Sequence, residues 1–195
     1  MSNALKIAPA QLAFDIDGVF ADTMSLFLEI ARREFNVNPI AYEEIREYDF
    51  SVAPGVDEAV AMEILGKIVE GNYSLPLNPM SGAPRVIERL NRYHRPTLFV
   101  TARPSGDHIY QWLQDVLALE PADIEVVATG SFNDKQEVLL ERGIAAFVED
   151  RLETCFLLKD AGIAPIVYRQ PWNRKPHPFA EVGSWHELES MIAFE

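Results

Sequence analysis

Short apolar runs recur along this chain, and most of them do not alternate with polar residues. They are 11–14 (QLAF), 97–101 (TLFVT), 124–128 (IEVVA), 145–148 (AAFV) and 164–168 (APIVY). A strand that is apolar on both sides must be buried on both faces, which suits a parallel sheet covered by helices above and below. Amphipathic helical stretches fill the gaps. Residues 83–93 place Val86, Ile87 and Leu90 at helical spacing, and 107–119, 134–142, 152–161 and 185–193 read as further helices. Strand–helix–strand alternation predicts a doubly wound α/β fold of Rossmann type.

One interval breaks this rhythm. The residues between the first run and the second are far more than one crossover helix requires. They contain helical patterns of their own at 23–35 (Phe27, Ile30, Ala31 and Phe35 on one face), 40–48 and 56–69. A connection that long with its own helices is an inserted unit. The expected division is therefore an α/β core of residues 1–20 and 80–195 and a helical insert of residues 21–79. The insert leaves from the carboxyl end of the first strand. In open α/β sheets ligands bind at that edge, so the insert is expected to lie over the site like a lid.

The sharpest local signal is Phe14-Asp15-Ile16-Asp17-Gly18-Val19 at the same strand end. Carboxylates at i and i+2 project to one side of an extended chain. Two like charges that close favour a cation between them or a raised pKa on one. As a calcium-binding loop the motif is poor, because Val19 and Phe20 occupy positions where that loop needs an oxygen ligand and a glycine. Three more polar sites follow in order near later strand ends or the helix starts beside them: Thr101, Lys135 and Glu149-Asp150. Each alone has an ordinary structural explanation, such as a turn-forming threonine, a surface lysine or an acidic helix cap. In a parallel sheet, however, these ends converge on one crevice. Carboxylates with oxygen donors describe a hard-cation site, and magnesium is the usual cation at phosphate.

The formal net charge of −13 repels nucleic-acid phosphates and anionic lipid, so neither is an expected partner. A phosphate site on such a chain requires local positive charge from a metal or a specific lysine. No run approaches the ~20 apolar residues of a membrane span, and the first residues lack the apolar stretch of a signal peptide. The single cysteine, Cys155, allows no intrachain disulfide and reads as a buried apolar residue. A cytoplasmic protein is expected. The four histidines show no ligand spacing, and oligomeric state is not legible.

As an ordered set, Asp15-Ile16-Asp17-Gly18-Val19, Thr101, Lys135 and Glu149-Asp150 resemble the four motifs of the haloacid dehalogenase superfamily, over roughly residues 11–168. The insert is similar to that superfamily's small helical cap of the first type. Residues 77–83 (LNPMSGA), 147–151 (FVEDR) and 170–174 (QPWNR) resemble the branch of the 5′(3′)-deoxyribonucleotidases. The resemblance implies a phosphatase of small phosphomonoesters, with (deoxy)nucleoside monophosphates as one substrate class. Asp15 would be the nucleophile and Asp17 the general acid and base. Mg2+ would be held by Asp15, the Asp17 carbonyl and Asp150, with Glu149 behind them. Thr101, Ala102 and Lys135 would bind the phosphate. An acid in the position of Asp17 argues against dehalogenation. Arg103, Tyr48 and Phe50 are candidate substrate contacts, and Trp172, Asn173 and Arg174 candidate site-edge residues. A non-nucleotide phosphate such as a sugar phosphate, and a relative that binds magnesium or phosphate without catalysis, remain alternatives.

Overall fold

The computed structural model describes residues 6–48 and 55–194. Six strands form one parallel sheet: β1 (Leu12–Phe14), β2 (Thr97–Thr101), β3 (Ile124–Ala128), β4 (Ala146–Glu149), β5 (Ala164–Tyr168) and β6 (Ala180–Val182). Their spatial order is β3-β2-β1-β4-β5-β6. The order reverses beside β1, where Phe14 pairs with Phe99 on one side and Val148 on the other. This reversal is the switch point at which doubly wound sheets open a crevice.

The unbroken apolar runs are explained by burial on both faces. Leu12, Phe14 and Phe99 point into one core layer with α3 (Ala83–Asn91), α4 (Asp107–Val116) and α7 (Trp185–Ser190). Ala13, Leu98, Val100 and Phe147 point into the opposite layer, against Leu139 of α5 (Lys135–Glu141) and Leu158 of α6 (Leu152–Asp160). Trp185 stacks on Phe14 at 5.3 Å between ring centroids and donates its indole N–H to the Val19 carbonyl at 2.9 Å. The turn after β1 is thereby pinned to the core. Cys155 is fully buried.

Between β1 and α3 the chain makes an excursion that leaves and returns at one point. Asp22 N bonds to the Asn78 carbonyl at 2.9 Å, and Met80 N to the Phe20 carbonyl at 2.7 Å. Within the excursion, α1 (Thr23–Arg33) is capped by the Asp22 side chain, which accepts from Ser25 N. Helix α2 (Glu58–Glu70) is capped by Asp57 and closed by Gly71 in the left-handed conformation, φ 76°. α2 packs on α1 through Ala61, Ile64 and Ile68.

One expectation needs correction, and one strand was not anticipated. The helix expected at 40–48 is only a three-residue 3-10 turn, Tyr42–Glu44. Its buried apolar supply is a single side chain, Ile45, too little to stabilise so short a helix. Instead a tertiary bond holds the turn, Tyr42 donating its hydroxyl to Gln170 Oε1 at 2.7 Å. The sixth strand, β6, has no apolar run to announce it. Its sequence is Ala-Glu-Val, and it pairs at the sheet edge with β5. Among the described residues no helix is long and apolar enough to cross a membrane.

Candidate active site

Asp15 continues the line of β1, its N–H bonding to the Val148 carbonyl at 2.9 Å. Its side chain is almost fully buried. Lys135, at the first residue of α5, is fully buried behind it and reaches Asp15 Oδ1 and Glu149 Oε2, each at 2.9 Å. Glu149 ends β4, and its other oxygen accepts from the backbone N–H groups of Asp150 (3.0 Å) and Arg151 (3.1 Å). Both Glu149 oxygens are therefore engaged. Asp150 differs: Oδ2 accepts the Trp172 indole N–H at 3.1 Å, whereas Oδ1 is buried without a hydrogen-bond partner among the described residues. A buried carboxylate oxygen left unpaired is costly unless something not yet bound completes it.

Asp15, Glu149 and Asp150 each bring one carboxylate oxygen within 4.8 Å of the others. Three acids face one lysine here, and the excess negative charge suits a divalent cation. Burial raises the Asp15 carboxyl above its ordinary range; Lys135 opposes this, while Glu149 and Asp17 add to it. Burial, then Glu149 and Asp15, raises Asp150. Burial alone would lower Lys135, but Asp15 and Glu149 outweigh it and hold the ammonium above its usual range. These hard oxygen donors fit magnesium, and the unpaired Asp150 Oδ1 is the observation that supports the fit.

Asp17 faces another way. Arg103 donates Nε to Asp17 Oδ2 at 2.9 Å and Nη2 to Oδ1 at 2.7 Å, and the Thr23 hydroxyl donates to Oδ1 at 2.6 Å. Burial pushes this carboxyl up, but Arg103 and then Thr23 more than offset it, so it titrates below the usual range. The partner of Arg103 is thus a partly buried acid of the first motif. Thr101 Oγ1 accepts from Arg103 N at 3.2 Å, which leaves its own proton to donate.

Gly18 explains why glycine follows the acid pair. Its φ is +76°, and a Cβ there would overlap the Asp150 carboxylate and approach the Trp172 ring to 3.2 Å. Gly18→Ala is expected to lose at least about 1–2 kcal/mol from left-handed strain alone, and to displace Asp150. Urea unfolding with and without magnesium measures both, as lower stability and a weaker magnesium increment.

A cleft of about 510 Å³ opens over these groups, lined by Asp15, Asp17, Thr101, Ala102, Arg103 and Asp150 on the sheet side. Leu65, Ile68 and Val69 of the excursion face them across it. Tyr48 also lines it, with its ring 5.7 Å from Phe132 and 6.4 Å from Trp172. Phe50 lies outside the described residues. Asn173 Nδ2 supports the Asp150 carbonyl at 2.8 Å. Arg174, expected at the site edge, turns instead to Glu181 at 3.1 Å. Phe132 and Arg151, whose guanidinium lies 4.5 Å over the Phe132 ring, were not singled out from the sequence. Their signal was position: Phe132 lies four residues beyond the end of β3 and Arg151 two beyond the end of β4, at the edge that carries the acids. Thr23 was also missed, and nothing local marks it. Gln170, the first residue of the 170–174 segment, was given no role of its own and donates Nε2 to the Gly18 carbonyl at 2.6 Å.

The family model described as 5′ nucleotidase, deoxy (Pyrimidine), cytosolic type C protein matches residues 9–195. No curated protein matches the chain in sequence. Among solved structures, a predicted phosphoglycolate phosphatase from Haemophilus somnus superposes with a TM-score of 0.63 at 14% identity, covering 93% of this chain and 96% of that one. A haloacid dehalogenase-like hydrolase from Streptococcus pneumoniae gives 0.61 at 14% identity, over 96% and 98%. CbbY from Rhodobacter sphaeroides, in complex with xylulose-(1,5)bisphosphate, gives 0.59 at 16% identity, over 96% and 100%. At these identities the likeness is one of fold.

Proposed function

Since the chain belongs to the 5′ nucleotidase, deoxy (Pyrimidine), cytosolic type C family of the haloacid dehalogenase superfamily, we propose that it is a magnesium-dependent phosphatase of nucleoside monophosphates. The observation that carries this reading is the buried Asp150 Oδ1, unpaired among the described residues, beside Asp15 and Glu149 and lining a cleft with aromatic walls.

In the proposed reaction an Asp15 carboxylate oxygen attacks phosphorus. The Asp15 O–P bond forms as the ester P–O bond breaks, and the leaving oxygen takes a proton from Asp17, which must first gain it against the Arg103 pairing that favours its charged form. Water then gives its proton back to Asp17 and attacks the aspartyl phosphate, releasing phosphate and restoring Asp15. Lys135 keeps Asp15 aimed and offsets its charge. Glu149 holds Lys135 and the backbone of Asp150. The Thr101 hydroxyl and the Ala102 amide bind phosphate oxygens. Magnesium, held by Asp15, Asp150 and the Asp17 carbonyl, would screen the repulsion between nucleophile and phosphate. Residues 21–79 act as the cap that closes over the leaving group. Tyr48, Phe132 and Trp172 suit a planar one, which favours a nucleobase.

The test is phosphate release from deoxynucleoside and ribonucleoside monophosphates, sugar phosphates and p-nitrophenyl phosphate, with magnesium and with EDTA. Magnesium-dependent turnover highest on pyrimidine deoxynucleotides is expected. Sugar phosphates belong in the panel because one fold relative binds a sugar bisphosphate. Magnesium at 100 times its Kd should also stabilise the fold by about 2.7 kcal/mol, an increment that Asp150→Asn removes. Turnover indifferent to EDTA would reject the magnesium reading.

A further inference from the structure

Asp150 is held on every side but one. Its N–H donates to Glu149 Oε1 at 3.0 Å, and its carbonyl accepts from Asn173 Nδ2 at 2.8 Å. Its Oδ2 accepts the Trp172 indole N–H at 3.1 Å. The same oxygen lies against the Gly18 backbone, where a Cβ would come within 2.0 Å of it. Only Oδ1 has no hydrogen-bond partner among the described residues. Trp172 is itself fixed. It is 6% exposed and sits in the 3-10 turn Pro171–Asn173. Asn173 ties that turn down, donating Nδ2 to the Tyr168 carbonyl at the end of β5 and accepting from Gln170 N.

An N–H seated on one carboxylate oxygen fixes the plane of the group and engages that oxygen's charge. A cation arriving at Asp150 is therefore offered Oδ1. The number of oxygens offered bears on which cation is bound. Calcium takes carboxylates through one oxygen or both and adapts to flexible geometry, whereas magnesium is smaller and demands a near-ideal octahedron. A fixed acid that presents a single oxygen suits the smaller ion. The rival role for Trp172, a wall of the cleft against the leaving group, needs its ring and makes no use of its N–H.

We propose that Trp172 is a positioning residue that restricts Asp150 to one cation-facing oxygen and so tilts the site from calcium towards magnesium. The inference rests on the magnesium reading of the site given above.

The test compares thermal melts of wild type and Trp172→Phe, in the full chain, in rising Mg2+ or rising Ca2+. No substrate is present, so stacking of a leaving group on the ring does not enter. The dependence of Tm on ion concentration gives an apparent Kd for each ion. Trp172→Phe keeps an aromatic ring and removes the donor. Its magnesium Kd is expected to rise by about 10-fold or more, the usual cost of losing a partner behind a metal ligand, and its calcium Kd to change by less than about 3-fold. A ring that only supports the local packing would weaken both ions alike. A ring that only walls the cleft would weaken neither. Either result, or a larger loss for calcium, overturns the proposal. If Trp172→Phe does not fold, benzothienylalanine at position 172 carries the same comparison, since it keeps the indole shape with sulfur in place of N–H. A folded wild type whose melt responds to neither ion would sink the magnesium reading and this inference with it. A wild type stabilised by magnesium, with the same ratio of the two Kd values in the variant, would sink the inference alone.

Discussion

Replacing Asp15 with asparagine is expected to lower kcat for phosphate release by about 10⁴-fold or more while the protein stays folded. The substitution keeps shape and one oxygen. Asparagine Oδ1 can still accept from Lys135 Nζ, which lies 2.9 Å from Asp15 Oδ1, so the local packing survives. What it removes is the nucleophile, since a neutral amide has no anionic oxygen with which to attack phosphorus. The expected stability change is small or favourable. Burial already holds the Asp15 carboxyl high; Lys135 works against this, and Glu149 and Asp17 add to it. The site does not welcome the negative charge that asparagine eliminates. Phosphate release and a thermal melt on one preparation separate the two effects. Turnover within tenfold of wild type would mean that another group attacks phosphorus.

Lys135→Met should have the largest effect on stability. The ammonium is fully buried, with Asp15 and Glu149 both 2.9 Å away. Removing it leaves these acids and Asp150 with no opposing charge at the centre of the fold. Breaking a buried ion pair from one side costs about 3–5 kcal/mol, against a total stability of about 5–15 kcal/mol for a typical domain. The loss should be greatest in EDTA and reduced by magnesium, which can take over part of the charge. A double variant with Glu149→Gln should lose less than the two single losses added together, because the unpaired Glu149 charge is then gone. Urea unfolding of the four proteins measures this coupling. A loss below about 1 kcal/mol for Lys135→Met in EDTA would be typical of an exposed pair and would refute the account of Lys135 as the central counter-charge.

Much of this molecule could be read from the order of its residues. The apolar runs that became β1 to β5 were legible because burial on both faces demands near-continuous apolar side chains, a local requirement. Doubly wound topology followed from the helices between them. Asp15, Thr101, Lys135 and Glu149-Asp150 could be assigned to one edge before any contact was known, since parallel strands present the same end to the same side. The three-residue strand β6 was not legible. Pairing with β5 defines it, and a backbone hydrogen bond at a sheet edge leaves no mark on side-chain pattern. The 40–48 segment misled for the opposite reason. Its pattern was faintly helical, but a bond to Gln170, 128 residues away, decided its shape.

The sequence by itself thus determined the sheet, the edge that carries the acids and the residue types gathered there, because each depends on periodicity and chain order. Only the tertiary structure decided which charge answers which. Lys135 turns to Asp15 and Glu149, Arg103 turns to Asp17 across 86 positions, and Asp150 keeps one oxygen unpaired. Tyr48 meets Phe132 and Trp172 in the same way, through the seating of one segment on another. Such pairings are settled by directions and distances of a few ångströms between residues remote in sequence, and no local pattern encodes them.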